Sequence, residues 1–191
     1  MIRAIIFDCF GVLVTDAMQA IRDTVGVHDA TAVQEISDII AANNRGLMEP
    51  TESNERIAAI LGITSAELRN MVAAGELKNH ELMAYVRTLR GHYKTAMLSN
   101  IAGTSLRKRF DPGELERHFD VVVASGDIGY AKPEPEAYET VADLLGVRCD
   151  ECVFIDDRAL FCDGATAVGM RPILYTNFAQ FKRELTVLLE I

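Results

Sequence analysis

Five short apolar runs, "AIIFD", "KTAMLSN", "DVVVAS", "CVFIDD" and the weaker "RPILYT", are spaced along the chain with helical segments between them. No other feature restricts the fold as much. Runs this short and this continuously apolar suit strands buried on both faces, as in a parallel sheet, rather than strands with one wet side. The intervening segments carry a helical period. "EPEAYETVADLLGV" puts Ala137, Val141, Leu144 and Leu145 on one face, and "NFAQFKRELTVLLEI" repeats the pattern at the C-terminal end. Strands alternating with helices predict an α/β fold, a doubly wound parallel sheet covered on both sides.

One interval breaks the alternation. From about Asp16 to His92 the segments "DAMQAIRDTVGV", "ATAVQEISDIIAANNRG", "EPTESNERIAAILGI" and "TSAELRNMVAAGEL" all read as helices. Thr51 ahead of an acidic turn, and Ser65 or Thr64 before Glu67, are the helix-start signals of the last two. "KNHELMAYVRTLRGHY" then leads back to the sheet. The predicted organisation is an α/β core of residues 1–15 and 93–191, interrupted by an inserted helical subdomain, a cap, over residues 16–92. A chain of 191 residues is long enough for both.

Charge narrows the partners. The net charge of −9 opposes nucleic acid and anionic membrane surfaces; a capped crevice suits a small-molecule partner, and an anionic one must be held by local cations or a metal. No run approaches the roughly 18 apolar residues of a membrane helix. "MIRAIIFDCF" is too short and too acidic for a secretory signal, which leaves a soluble, cytoplasmic protein as the expectation. The four cysteines form no evident disulfide framework. "CDEC", Cys149 to Cys152, has redox or zinc spacing but no second pair, so buried or turn thiols are expected.

In a sheet of this kind, ligands bind outside the carboxyl ends of the strands. The residues expected there are Asp8, Ser99, Asn100, Asp156 and Asp157, with Lys132 from "SGDIGYAKPEPEAY". Taken singly, each has an ordinary explanation as a cap, a turn residue or a solvated lysine. Taken together, three crowded carboxylates repel one another unless a cation neutralises them. Mg²⁺, a hard cation with oxygen ligands, fits carboxylates and backbone carbonyls with no His or Cys nearby.

Four stretches, "FDCFGVL", "LSN", "YAKPEPEAY" and "VFIDD…GATAVGM", resemble in order the four motifs of the haloacid dehalogenase (HAD) superfamily. The helical insert after the first resembles that family's subclass I cap, and the likeness covers nearly the whole chain. It implies a Mg²⁺-dependent hydrolase in which Asp8 attacks phosphorus of a small phosphate ester. Ser99 would bond the transferring phosphoryl oxygens, Asn100 would position substrate, and Lys132 would offset charge. Asp8, Asp156, Asp157 and the backbone carbonyl of Phe10 would hold the metal.

Family phosphatases usually carry a second Asp where this chain has Phe10, and such an acid–base group contributes about 10²- to 10⁴-fold. Three readings follow. A phosphatase could use better leaving groups or a substitute such as Asp16. A non-catalytic or regulatory protein could keep only the fold and metal site. A 2-haloacid dehalogenase places an aromatic residue at Phe10, but resembles Ser-Ser-Asn rather than Asp-Asp at the fourth motif and needs no Mg²⁺. Phosphatase is the first expectation. Phe161 also stands near a position where the family often has Asn. For specificity, the cap loop "NNRGLMEP" offers Arg45, Asn43 and Asn44 and resembles the Arg-Gly turn of related caps, with a solvated helix end at Gly46 as the alternative. Arg158 would either reach an anionic group or pair with Asp157.

Overall fold

The structure, a computed structural model, describes residues 1–26 and 28–189. Strand β1 (Ala4–Phe7) is followed by four helices, α1 (Ala17–Gly26), α2 (Ala30–Asn44), α3 (Pro50–Leu61) and α4 (Ser65–Gly75). Then come α5 (His80–Leu89), β2 (Lys94–Ser99), α6 (Gly103–Arg107), α7 (Glu114–His118) and β3 (Val121–Ala124). The chain closes with α8 (Ser125–Ile128), α9 (Pro135–Leu145), β4 (Cys152–Asp156), α10 (Ala159–Ala167), β5 (Arg171–Leu174) and α11 (Phe178–Leu189). All five apolar runs are strands, joined in parallel in the order β3-β2-β1-β4-β5.

Period-two alternation explains why these runs read as unbroken apolar stretches. Ile5, Phe7, Met97, Val153 and Ile155 face one side, where they pack with Leu82, Val86 and Phe181 of α5 and α11. Ala4, Ile6, Leu98 and Phe154 face the other, against Tyr138, Val141 and Ala165 of α9 and α10. With both faces dry, polar residues are confined to the strand ends and to Thr95, whose hydroxyl donates to the His118 carbonyl at 2.8 Å. Because β2 and β3 lie on one side of β1 while β4 and β5 lie on the other, the strand order reverses between β1 and β4. This is where such sheets open a crevice.

Helices α1 to α4 enclose a separate apolar cluster of Ile36, Ile39, Ile57, Ala58 and Leu68. Two backbone hydrogen bonds join the outgoing and returning chains at their base, Thr15 N–H to the Leu77 carbonyl at 3.0 Å and Asn79 N–H to the Leu13 carbonyl at 2.8 Å. Helix α5 lies beyond that hinge. It buries Leu82, Met83, Val86 and Leu89 in the sheet's cluster, so the last part of the 16–92 interval packs with the core instead of the helical insert.

Two local expectations change. Helix α3 begins at Pro50 after Glu49, with Thr51 already inside the first turn, because proline at the first position costs no backbone donor. Leu144 is 60% exposed, since the buried stripe of α9 runs through Ala137, Tyr138, Val141, Ala142 and Leu145 and leaves it at the edge. Thr64 and Glu67 do form the reciprocal cap of α4. No single described helix is long and apolar enough to cross a membrane.

Candidate active site

The first residue after β1 is Asp8, whose backbone N–H still reaches the Ile155 carbonyl of β4 at 2.8 Å. The sheet ladder therefore fixes this carboxylate at the switch point. Asp156 ends β4, and its own carbonyl is bonded by Tyr175 N–H at 2.8 Å. Lys132 fills the space between them. Its ammonium donates to Asp8 Oδ1 and to Asp156 Oδ2, both at 2.6 Å, and its side chain is wholly buried.

Asp157 completes the group at its outer lip. Oxygens of Asp8, Asp156 and Asp157 all lie within 4.8 Å of one another, and this is the one cluster of three or more potential metal-ligating side chains among the described residues. Gly11 makes room for it. The residue sits at φ +88°, and a Cβ there would lie 2.2 Å from Asp157 Oδ2. On the far side Gly164 lets α10 approach the Lys132 turn, since its Cβ would meet the Tyr138 hydroxyl at 2.8 Å and Pro133 Cβ at 2.9 Å.

Three carboxylates against one ammonium leave the site short of positive charge. Burial pushes the Asp8 carboxyl up to about 7, Lys132 working against this and Asp156 adding to it. Asp157 is raised to about 6, first by partial burial and then by Asp156. Burial opposes the charge on Lys132, but the two carboxylates outweigh it and raise its pKa. An all-oxygen donor set with surplus negative charge fits a hard divalent cation. The Phe10 carbonyl accepts no hydrogen bond from the described residues, so it is free to serve as a further oxygen ligand.

Other expected site residues have more specific surroundings. Ser99 Oγ is buried and lacks any hydrogen-bond partner among the described residues. Asn100 is committed at both ends to the backbone of Lys132. Its Oδ1 accepts the Lys132 N–H and its Nδ2 donates to the Lys132 carbonyl, each at 2.8 Å, so it orients the lysine rather than facing open space. Asp16 caps α1 by accepting the Gln19 N–H at 2.9 Å.

Arg45 pairs with Glu134 at 3.1 Å, two residues beyond Lys132. A Cβ on the adjacent Gly46 would lie 3.2 Å from the Gly126 carbonyl, and Ser125 Oγ donates to the Asn44 carbonyl, so this cap loop rests on the core instead of ending in solvent. Asn43 Oδ1 has no partner among the described residues. Arg158 makes no ion pair with Asp157. Its guanidinium carbon lies 4.6 Å from the centroid of the Phe161 ring.

Phe10 has a neighbour that no sequence signal announced. The Arg109 guanidinium lies 5.3 Å from its ring centroid and pairs with both oxygens of Glu76, at 2.8 and 2.9 Å. Glu76 is the C-cap of α4, the last residue before the hinge. Arg109 lies within "RKRF", a basic stretch that reads as solvated surface, and contact across 33 positions leaves no local pattern.

A cleft of about 550 Å³ lies between α1 and the loop after β1, lined by Gly11, Asp16, Gln19 and Asp157. The larger recess, about 1180 Å³, is at the amino ends of the strands among Arg3, Lys94 and Arg171, away from the carboxylates. Cys149 and Cys152 are free thiols, and burial raises both, Cys152 to about 12.

Known proteins resemble this chain to different extents. A phosphatase of Mycobacterium tuberculosis is 37% identical over 91 residues, which is 48% of this chain and 42% of that protein. Mouse bifunctional epoxide hydrolase 2 is 40% identical over 72 residues, 38% of this chain and 13% of the longer protein. The matched region therefore spans less than half of either relative. Among solved structures, a HAD-like hydrolase from Porphyromonas gingivalis superposes with a TM-score of 0.77 at 25% identity, covering 100% and 99% of the two chains. A HAD-family enzyme from Bacteroides thetaiotaomicron, solved with magnesium and inorganic phosphate, does so with a TM-score of 0.72 at 22% identity, covering 94% and 96%. A family model of haloacid dehalogenase-like hydrolases matches residues 2–169, and the chain belongs to that family.

Proposed function

We propose that this hydrolase is a Mg²⁺-dependent phosphatase of small phosphate esters, with Asp8 as its nucleophile. The observation that carries the reading is the buried Asp8–Lys132–Asp156 bridge with Asp157 at its edge. In support, the mycobacterial relative is named a phosphatase, and the Bacteroides structure contains magnesium and phosphate.

Each group has a distinct part. An Asp8 oxygen attacks phosphorus, the bond to the ester oxygen breaks, and the leaving group departs with that electron pair; water then hydrolyses the aspartyl-phosphate at phosphorus. Lys132 stabilises the Asp8 carboxylate and the charge that builds on the phosphoryl oxygens. Ser99, with an unused buried hydroxyl, donates to one of those oxygens. Asn100 fixes the backbone from which Lys132 projects. Asp8, Asp156, Asp157 and the Phe10 carbonyl would hold Mg²⁺, which supplies positive charge to the phosphoryl group when bound.

Proton transfer is the weak step. Phe10 cannot protonate a leaving alcohol, and Asp16 is occupied as a helix cap, so esters whose leaving groups are stable as anions are the better substrates. The test is hydrolysis of p-nitrophenyl phosphate with and without Mg²⁺ by the parent and by Asp8→Asn. Turnover requiring both the ion and Asp8 supports the proposal. Turnover that survives Asp8→Asn removes it, and absence of turnover in the parent favours a non-catalytic protein with the same fold.

A further inference from the structure

The carbonyl of Phe10 shares its peptide plane with the Gly11 N–H, which reaches the Val14 carbonyl at 2.7 Å. Among the described residues this is the one hydrogen bond that plane makes, and Gly11 on its far side has no Cβ to hinder rotation. One bond fixes a direction but lets the plane rock about it. A second support comes from the Phe10 side chain. Its ring packs against the sheet's apolar cluster and lies under the Arg109 guanidinium, whose carbon is 5.3 Å from the ring centroid.

Arg109 is held at every edge. Its Nε donates to Glu76 Oε2 at 2.8 Å, its Nη2 to Glu76 Oε1 at 2.9 Å and its Nη1 to the Ser105 carbonyl at 2.7 Å. With the edges of the guanidinium engaged, its flat face is what remains for Phe10. The Arg109 and Glu76 side chains are 25% and 11% exposed, so this plate is largely shielded from water. Two residues along the same limb of the hinge, Lys78 pairs with Glu114 at 2.5 Å, and its aromatic neighbour is Phe110, at 5.2 Å from the ring centroid. The limb is thus fastened twice to one core segment, with opposite polarity. The Arg109 fastening is the one that lies against Phe10.

We infer that Arg109 is a positioning residue of the metal site: by holding the Phe10 ring it fixes the plane of the carbonyl that would bind Mg²⁺, and by holding Glu76 it ties that plane to the base of the cap. The inference rests on the Mg²⁺-dependent reading of the site and adds a residue outside the four motifs. Phe10 thereby has a use of its own, as the handle by which the metal loop is gripped. A charge acting through space would do the opposite, since a cation near a cation site weakens binding and its removal would tighten it. Removal of a support loosens it.

Titration calorimetry of Mg²⁺ alone into the metal-free protein tests this without turnover. Arg109→Gln is expected to weaken binding about three- to tenfold, less than the about 10- to 100-fold lost with a direct partner of a ligand, because the support acts through the ring. Phe10→Leu keeps the carbonyl and an apolar side chain but removes the ring. It should weaken Mg²⁺ to a similar extent, and the double variant should lie within about twofold of either single one, because both remove the same support. Lys78→Gln loosens the same limb and should leave Mg²⁺ affinity within about twofold of the parent. Unchanged or tighter binding in Arg109→Gln overturns the inference, as does an equal loss in Lys78→Gln, which would assign the effect to the hinge as a whole. Should Arg109→Gln fail to fold, parental affinity in Phe10→Leu overturns it alone. A parent that binds no Mg²⁺ removes the metal site and this inference with it, whereas a parent that binds the ion confines any failure to the role of Arg109.

Discussion

The floor and the rim of the crevice are built from the same chemical types and behave differently. On the floor, Lys132 meets Asp8 and Asp156 at 2.6 Å with side chains 0 to 7% exposed, and each partner is pinned by strand ends or by the Asn100 fork. On the rim, Arg45 meets Glu134 at 3.1 Å with side chains 48% and 34% exposed. Burial makes the floor pairs indispensable, because removing one member strands a charge away from water. Exposure makes the rim pair dispensable, since water replaces either partner.

Lys132→Met is the strongest way to break that contrast. It should destabilise the protein by about 3–5 kcal/mol near pH 8 and abolish hydrolysis, both read from urea unfolding and p-nitrophenyl phosphate turnover. An effect below about 1 kcal/mol would mean the floor tolerates solvent as the rim does. Gly11→Ala comes next. Its Cβ must displace the Asp157 carboxylate, so Mg²⁺ affinity should fall about tenfold or more, measured by calorimetry.

The floor should also respond to pH. Asp8 and Asp157 bind protons more readily when folded, with values raised from 3.8 to about 7 and about 6. Between those limits, rising pH therefore removes stability from the metal-free protein. Mg²⁺ competes with protons for the same oxygens, so its stabilisation in thermal melts should be smallest near about pH 5 and largest near about pH 8. The opposite trend would show that these carboxylates do not hold the ion. Arg45→Ala should have the smallest effect, within about 1 kcal/mol of the parent in urea unfolding.

Much of the floor was legible because its residues sit at the ends of strands, and a strand buried on both faces announces itself as an apolar run. Asp8 and Asp156 could be placed from "AIIFD" and "CVFIDD" because strand termini fix direction as well as position. The Thr64–Glu67 cap was equally local. The role of Asn100 was not, since its contact with Lys132 spans 32 positions and a Ser-Asn pair has no preferred partner. Nor did periodicity mark the end of the helical insert. Helix α5 has the same spaced apolar pattern as its predecessors, and only packing against Phe7 and Phe181 assigns it to the sheet.

The stack on Phe10 bears on how such a chain can change. An acid restored by Phe10→Asp would arrive beside Arg109, whose charge would keep it ionised and unable to donate a proton. The single substitution should add little to turnover of alkyl phosphates, and combining it with Arg109→Gln should add more than the sum of the two, as release rates in a double-mutant cycle would register. Such coupling makes the order of mutations matter. Because the Arg109 guanidinium both faces the Phe10 ring and pairs with Glu76 across core and cap, a single change at Phe10 loses one contact without gaining a proton donor, and a change of chemistry here needs both sites together.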